Sequence, residues 1–186
     1  MILSISRTTR AMASRAADLT ARFVNETIAE KGYCRIIFST ATSQFEYFDE
    51  LSRRDIQWSK VELFHLDEYI DLPKGHPASF AKLLKEHLVD LIPAPKMVCY
   101  IDGYTNDIEG ELSRLSKEIT AKPIDIGLIG IGENAHIAFN DPPADFQTSM
   151  PFKIVEMDQR CRMQQVGEGW FPTIADVPKN AISASI

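Results

Sequence analysis

Apolar residues recur along the chain in two spacings, which predict alternating helices and strands. Near the N-terminus, five apolar residues at helical spacing end at Gly32, a residue type that often terminates helices: Ala16, Leu19, Phe23, Val24 and Ile28. Further helices are expected after Ser79 and Asp107, whose side chains can accept hydrogen bonds from the first backbone N–H groups of a helix. Short apolar runs predict strands at 34–39, 61–66, 97–102, 124–131, 152–157 and 180–186.

The order of these elements predicts an α/β fold. Strands that alternate with helices form βαβ units, and runs that are apolar throughout fit strands covered by helices on both faces. We therefore expect a mostly parallel sheet, with residues 1–186 forming one domain. The last run, 180–186, should be either a sheet edge or the uncovered strand of a longer protein. We favour the second interpretation, which predicts exposed apolar surface and self-association.

Composition limits the classes of partner. The 186 residues are 45% hydrophobic and 25% charged, as in ordinary globular proteins. The net charge of −6 argues against nucleic acid and acidic membranes, although backbone N–H groups could still bind a small anion. We predict a cytoplasmic protein with a small-molecule partner and leave homo-oligomerisation open. Cys34, Cys99 and Cys161 lack CxxC spacing and are expected to be reduced thiols, two of them in strands.

Three polar clusters follow predicted strands. They are STATSQ (39–44), HLDEY (65–69) and GIGENAH (130–136). In an open parallel sheet, ligands bind beyond the carboxyl ends of the strands. We therefore expect the three clusters to meet at one edge of the sheet.

The first two clusters could bind an anion and supply a base. Thr40, Thr42 and Ser43 offer hydroxyl groups and can begin a helix whose N–H groups face an anion, although a simple helix cap is the alternative. A carboxylate directly after a strand, as at Asp67 and Glu68, is partly desolvated, which suits a general base. The alternative for this pair is a solvated loop.

The third cluster places a histidine between acids. Gly130 and Gly132 allow a sharp turn and a close approach to a ligand. His136 follows them and lies between Glu133 and Asp141, so it could be held in one tautomer while it transfers a proton. His65 and His76 flank the acidic pair at 67–68, but without a metal-binding spacing. We predict no metal.

Two segments, FHLDEYIDLPKGHPASF (64–80) and GIGENAHIAFNDPP (130–143), together resemble the glucosamine-6-phosphate deaminase/isomerase family, which shares a fold with the 6-phosphogluconolactonases. The resemblance implies a Rossmann-like domain that opens a cyclic amino-sugar phosphate, isomerises it from aldose to ketose and releases ammonia. It implies that Asp67 moves a proton between C1 and C2, that His136 assists ring opening and that no cofactor takes part. The remaining site residues implied are Asn134, Glu133 and Asp141 around the histidine, and Thr40, Ala41, Thr42, Ser43 and Glu68 around the substrate.

The chain also departs from the family pattern. Asn134-Ala135 stands where the family has Asp-Gly, and Glu133 is expected to supply the missing charge. Asp141 replaces a Glu, Ala41 and Thr42 replace glycines of the phosphate loop, and Gln165 replaces a phosphate-binding Arg. A second phosphate-binding Lys would lie beyond Ile186. Two alternatives stay open: a lactone hydrolase that uses His136 to activate water, and a sugar-phosphate-binding protein without catalysis.

Overall fold

The computed structural model describes residues 2–185, which contain seven strands and five α-helices. The strands are β1 (Cys34–Phe38), β2 (Val61–His65), β3 (Asp67–Tyr69), β4 (Met97–Cys99), β5 (Ile126–Leu128), β6 (Phe152–Glu156) and β7 (Asn180–Ala184). The helices are α1 (Thr9–Lys31), α2 (Phe45–Ser52), α3 (Phe80–His87), α4 (Ile108–Thr120) and α5 (Gln159–Gly167). Short 3₁₀ helices span Thr42–Gln44, Trp58–Lys60 and Val89–Leu91.

Four strands form a parallel central sheet in the order β4-β2-β1-β5. β1 and β2 pair along their whole length, from Cys34 opposite Val61 to Phe38 opposite His65. The predicted α/β class and the parallel sheet are therefore confirmed, although several strands are shorter than their apolar runs.

Both faces of the central sheet are covered. Ile36 and Phe38 of β1 pack against α1 and α2, whereas Ile37 points to the opposite face and packs with α4, β6 and β7. This division follows from the alternation of side chains along a strand. Helices alone cover the first face, and the second is covered by a helix together with a second sheet.

The second sheet is antiparallel, with the order β3-β7-β6. The prediction that 180–186 forms an edge or an uncovered parallel strand was wrong for the described part of this segment. β7 pairs on both sides, and Ala181 and Ile182 are fully buried. Earlier parts of the chain cover β7. It pairs antiparallel with β3 and β6, and its buried side chains pack on the central sheet.

The residues predicted to begin or end helices do so in the structure. The N–H of Gly32, at φ +83°, donates to the Ile28 carbonyl and ends α1. Ser79 caps α3 by accepting from the Lys82 N–H, and Asp107 caps α4 by accepting from the Gly110 N–H. Within residues 2–185, no helix is long and apolar enough to cross a membrane.

The three cysteines are buried free thiols, as predicted. Cys34 and Cys99 lie in strands β1 and β4. Cys161 lies in α5.

Candidate active site

A cleft of about 320 Å³ lies at the carboxyl ends of the central strands. It brings together residues from all three predicted polar clusters and from α5. The polar lining residues are Ser39, Thr40, Thr42, Ser43, Asp67, Glu133, His136, Gln164, Gln165 and Glu168. The predicted convergence at one edge of the sheet is present, as expected for this class of fold.

Asp67 places a buried carboxyl group in this cleft. Its side chain is 8% exposed, and burial, with a smaller contribution from the charge of Glu68, raises its pKa from 3.8 to about 8. The predicted desolvation is therefore found. A carboxyl group that loses its proton near pH 8 can both take and return a proton close to neutral pH.

Glu68 faces away from Asp67 and is absent from the lining of the cleft. The two acids belong to β3, and successive side chains of a strand point to opposite faces. The Glu68 carboxylate instead accepts hydrogen bonds from the Tyr69, Phe80 and Ala81 N–H groups and from the Ser79 hydroxyl. This carboxylate therefore caps the N-terminus of α3, and the substrate contact expected for Glu68 stays a prediction.

Replacing Glu68 with Gln should destabilise the fold by about 2 kcal/mol, because hydrogen bonds to a charged group contribute roughly 1.5–3 kcal/mol. The amide would also turn donor hydrogens towards N–H groups that need an acceptor. Urea denaturation measures the loss. Glu86→Gln on the exposed side of α3 is the matched control and should cost under about 0.5 kcal/mol. Equal effects of the two changes would contradict the capping role.

His136 is held from one side of its ring. Asn134 Nδ2 donates to Asp141 Oδ1 at 2.8 Å, so the Asn134 Oδ1 is free to accept from His136 Nδ1 at 2.5 Å. Asp141 Oδ1 lies 3.1 Å from the same ring nitrogen, and its other oxygen accepts from the Asp158 N–H at the start of α5. In the neutral ring these two acceptors place the proton on Nδ1 and leave Nε2 as an acceptor for the cleft. Glu133 had been expected to supply the charge beside His136. It lines the cleft but is exposed, and the acid paired with His136 is Asp141.

Two residues of the loop that carries His136 are conformationally restricted. A Cβ at Gly132 would lie 2.3 Å from both Cε1 and Nε2 of His136, so only glycine permits this ring position. Ala135 has φ +66°, a left-handed conformation that costs a non-glycine residue about 1–2 kcal/mol. This alanine occupies the position where the resembled family has glycine.

Gly132→Ala should reduce turnover at least tenfold while changing the melting temperature little. The added methyl group overlaps the imidazole, which must move away from the cleft, and small misplacements of a reacting group are costly. Steady-state kinetics and thermal melts measure the two effects. Gly167→Ala is the control, because a Cβ there meets nothing within 4 Å. Unchanged turnover in Gly132→Ala would contradict the His136 geometry.

The 40–43 loop presents an unused hydroxyl group. Thr40 lines the cleft and is 3% exposed, and its Oγ1 has no hydrogen-bond partner within the described residues. A buried polar atom without a partner is rare and often marks a place where a bound group completes the site. Ala41 has φ −124°, so its backbone conformation is available to alanine and needs no glycine. Ser43 also lines the cleft.

The end of the cleft beside this loop is acidic. Glu168 accepts from the Thr42 hydroxyl at 3.2 Å and from the Trp170 indole N–H at 3.1 Å. Gln165 accepts from the Tyr69 hydroxyl at 2.8 Å. Neither lysine nor arginine occurs among the described residues that line the cleft. Sequence reasoning missed Glu168 and Trp170, since they follow α5 without a motif and approach the loop only in the fold.

The two histidines that flank the acidic pair have structural roles. His65 is fully buried, its Nδ1 lies 3.0 Å from the Asp67 carbonyl oxygen, and its Nε2 accepts from the Ile101 N–H. Burial lowers the pKa of His65 to about 4, which keeps the ring neutral. His76 stacks on Phe171 and accepts from the Ala78 N–H. Both rings are therefore engaged in packing and hydrogen bonds.

Comparison with known proteins agrees with this architecture. Residues 7–155 match the family described as glucosamine-6-phosphate isomerases/6-phosphogluconolactonase. A glucosamine-6-phosphate deaminase of Bacillus cytotoxicus is 31% identical over 172 residues, which cover 92% of this chain and 64% of the relative. One from Bacillus cereus is 31% identical over 165 residues, covering 89% and 61%. The chain thus spans a little under two thirds of the length of these relatives.

Solved structures give the same result. A monomeric glucosamine-6-phosphate deaminase superposes with a TM-score of 0.88 at 26% identity, covering 100% of this chain and 76% of its own. A 6-phosphogluconolactonase from Shewanella baltica superposes with a TM-score of 0.72 at 18% identity, covering 96% and 72%, and this likeness concerns the fold alone. The chain belongs to the glucosamine-6-phosphate isomerase/6-phosphogluconolactonase family.

Proposed function

We propose that this chain catalyses aldose–ketose isomerisation of an amino-sugar phosphate, with water replacing the amine and ammonia leaving. The observation that carries the proposal is the presence of Asp67 and His136 in one cleft, each prepared for proton transfer in a different way. Asp67 has a pKa of about 8 because of burial, and His136 presents Nε2 with Nδ1 anchored. The relatives named glucosamine-6-phosphate deaminase support the same reaction class.

The two groups have separate tasks in the proposed reaction. His136 Nε2 accepts the proton of the C1 hydroxyl and passes it to the ring oxygen as the bond between that oxygen and C1 breaks, while Asn134 and Asp141 keep Nδ1 protonated. The Asp67 carboxylate then removes the C2 proton and returns it to C1, while a proton of the amine passes to the C1 oxygen, so that the aldehyde becomes an alcohol and the C2 amine becomes an imine. Water then adds to the C2 imine and ammonia leaves, which gives the ketose. Asn134 and Asp141 touch the histidine and are absent from the cleft lining, so they are positioning residues.

The phosphate is proposed to lie against the 40–43 loop. The unpartnered Thr40 Oγ1 and the hydroxyl groups of Thr42 and Ser43 supply donors there. Glu168 opposes an anion at this end, since its carboxylate contacts Thr42. A bound phosphate would have to compete with Glu168 for the Thr42 hydroxyl, so phosphate recognition needs a separate test.

Ammonia release from glucosamine 6-phosphate, followed with a coupled dehydrogenase, tests the reaction. Unphosphorylated glucosamine is the matched substrate. Turnover of the phosphorylated sugar with a lower KM than glucosamine supports the full proposal. Equal use of both sugars would retain the isomerisation and remove the phosphate assignment. Ketose without ammonia would remove the deamination, and neither product would contradict the proposal.

Lactone hydrolysis is the second candidate, because His136 with a free Nε2 could activate water without help from Asp67. The Asp67→Asn variant separates the two. Hydrolysis of 6-phosphogluconolactone that survives this change would favour the lactonase, whereas isomerisation needs a carboxylate that moves a proton.

A further inference from the structure

Three side chains of types that commonly bind metals, including His136 itself, lie close together. One donor atom from each of His136, Asp141 and Cys161 can be chosen such that all three lie within 4.8 Å of one another. They come from separate parts of the chain, because His136 and Asp141 belong to the loop after β5 and Cys161 to α5. The sequence predicted no metal site, since Cys161 is remote from the other two and forms no metal-binding spacing with them.

The donors belong to one chemical class of ion. A thiolate, an imidazole and a carboxylate are the ligands of Zn²⁺, whereas Mg²⁺ and Ca²⁺ select oxygen alone. Bond lengths of 2.0–2.3 Å place tetrahedral ligands about 3.3–3.8 Å apart, so the present cluster needs to contract by about 1 Å. We propose that His136, Asp141 and Cys161 bind Zn²⁺ or a similar divalent transition metal ion, with water in the fourth position.

A second opening gives access to this cluster. A pocket of about 570 Å³ is lined by Cys161 and Asn134 and adjoins the substrate cleft, with which it shares lining residues. Its charged lining residues are two acids, Glu133 and Glu168, and one base, Arg160. An ion in this pocket would therefore meet Cys161 first among the three ligands.

Metal binding would change the form of His136. The Cys161 S–H bond is replaced by an S–metal bond, and the thiol proton goes to solvent. The ring nitrogen that faces Asp141 is Nδ1, so coordination there moves the remaining imidazole proton to Nε2. An Nε2 that carries a proton cannot accept one from substrate. If the proposed function is correct, the metal ion is therefore an inhibitor.

The binding test does not require activity. Chelator-treated protein is titrated with Co²⁺, whose thiolate complex gives a charge-transfer band in the near ultraviolet, and with Zn²⁺ by calorimetry. We expect one ion per chain and a thiolate band in the wild type. Cys161→Ser should abolish the band and weaken Zn²⁺ binding more than about 100-fold, since even loss of an outer-shell partner typically costs 10–100-fold.

Two further variants serve as a control and as a second ligand substitution. Cys34→Ser changes another buried thiol and should keep both the band and the affinity. Asp141→Asn should weaken binding while the thiolate band remains, which covers the case that Cys161→Ser does not fold. Absence of Zn²⁺ binding by the wild type, or equal binding by the wild type and a folded Cys161→Ser protein, would overturn the site. Zn²⁺ binding without inhibition of ammonia release would leave the site and remove only its effect on His136.

Discussion

Asp67→Asn should lower the turnover of an amino-sugar phosphate by about 10²–10⁴-fold, the range that a positioned acid–base group contributes. The amide has the shape of the carboxyl group but cannot take the C2 proton. Binding of substrate should change little, so the loss should appear in kcat rather than in KM. Retention of more than about a tenth of the wild-type rate would remove Asp67 from the reaction.

The same substitution should raise thermal stability, and the gain should grow with pH. The pKa of Asp67 is about 8 in the folded state and 3.8 ordinarily. Between these values the unfolded chain binds fewer protons than the folded one, so folding stability falls as pH rises, and the loss is complete above about pH 8. Asn has no such dependence. The difference in melting temperature between Asp67→Asn and wild type should therefore be larger at pH 8 than at pH 5.

A control shows whether this dependence belongs to the buried carboxyl group. Asp71 lies just after β3 and is exposed, so Asp71→Asn should change stability by the same amount at both pH values. A pH-independent gain in Asp67→Asn would mean that the carboxyl group is ionised in the folded state. The rate should show the matching effect, with kcat/KM of the wild type rising as pH approaches 8.

The central sheet was predictable because its signals are local. The runs at 34–39 and 61–66 are apolar enough to identify β1 and β2 without knowledge of their partners. The second sheet was not predictable in this way. β3 is three residues long and pairs with β7, which follows it by more than a hundred residues in the sequence. Its DEY sequence was therefore interpreted as a polar cluster that follows a strand.

That one missed strand separates Glu68 from Asp67. In a loop, Asp67 and Glu68 could both face a ligand, but in a strand the pleat places them on opposite faces. Burial raises the pKa of Glu68, and its hydrogen bonds to Ala81, Ser79 and other N–H groups lower it in part. The two neighbouring acids thus occupy different environments, with Asp67 in the cleft and Glu68 at the helix terminus.

The parts of the site that come from α5 were the hardest to foresee. Gln165, Glu168 and Cys161 lie on or just after a helix whose sequence has no recognised motif in this chain. Their proximity to Thr42, Tyr69 and His136 depends on how α5 packs across the sheets, which residue spacing does not determine. Only the replacement at Gln165 was visible, and only through resemblance to a family.

His136→Gln should reduce turnover of the cyclic sugar phosphate by about 10²-fold or more, and turnover of an open-chain analogue far less. Glutamine can donate near the position of Nε2 but cannot take up and release a proton, and the proposed task of Nε2 is ring opening. Kinetics on the two substrates measure the difference. Equal losses on both would place His136 in binding or in the isomerisation itself.

The role of Asp141 can be tested on the same background. Asp141→Asn should impair the cyclic substrate because the ring loses the charged oxygen 3.1 Å from Nδ1. If Asp141 acts only through His136, then adding Asp141→Asn to His136→Gln should cost nothing further, since groups that act as a unit are not additive. Losses that multiply would show that Asp141 acts independently, for example through its hydrogen bond from the Asp158 N–H at the start of α5. A shared loss confined to the cyclic substrate would assign both residues to ring opening.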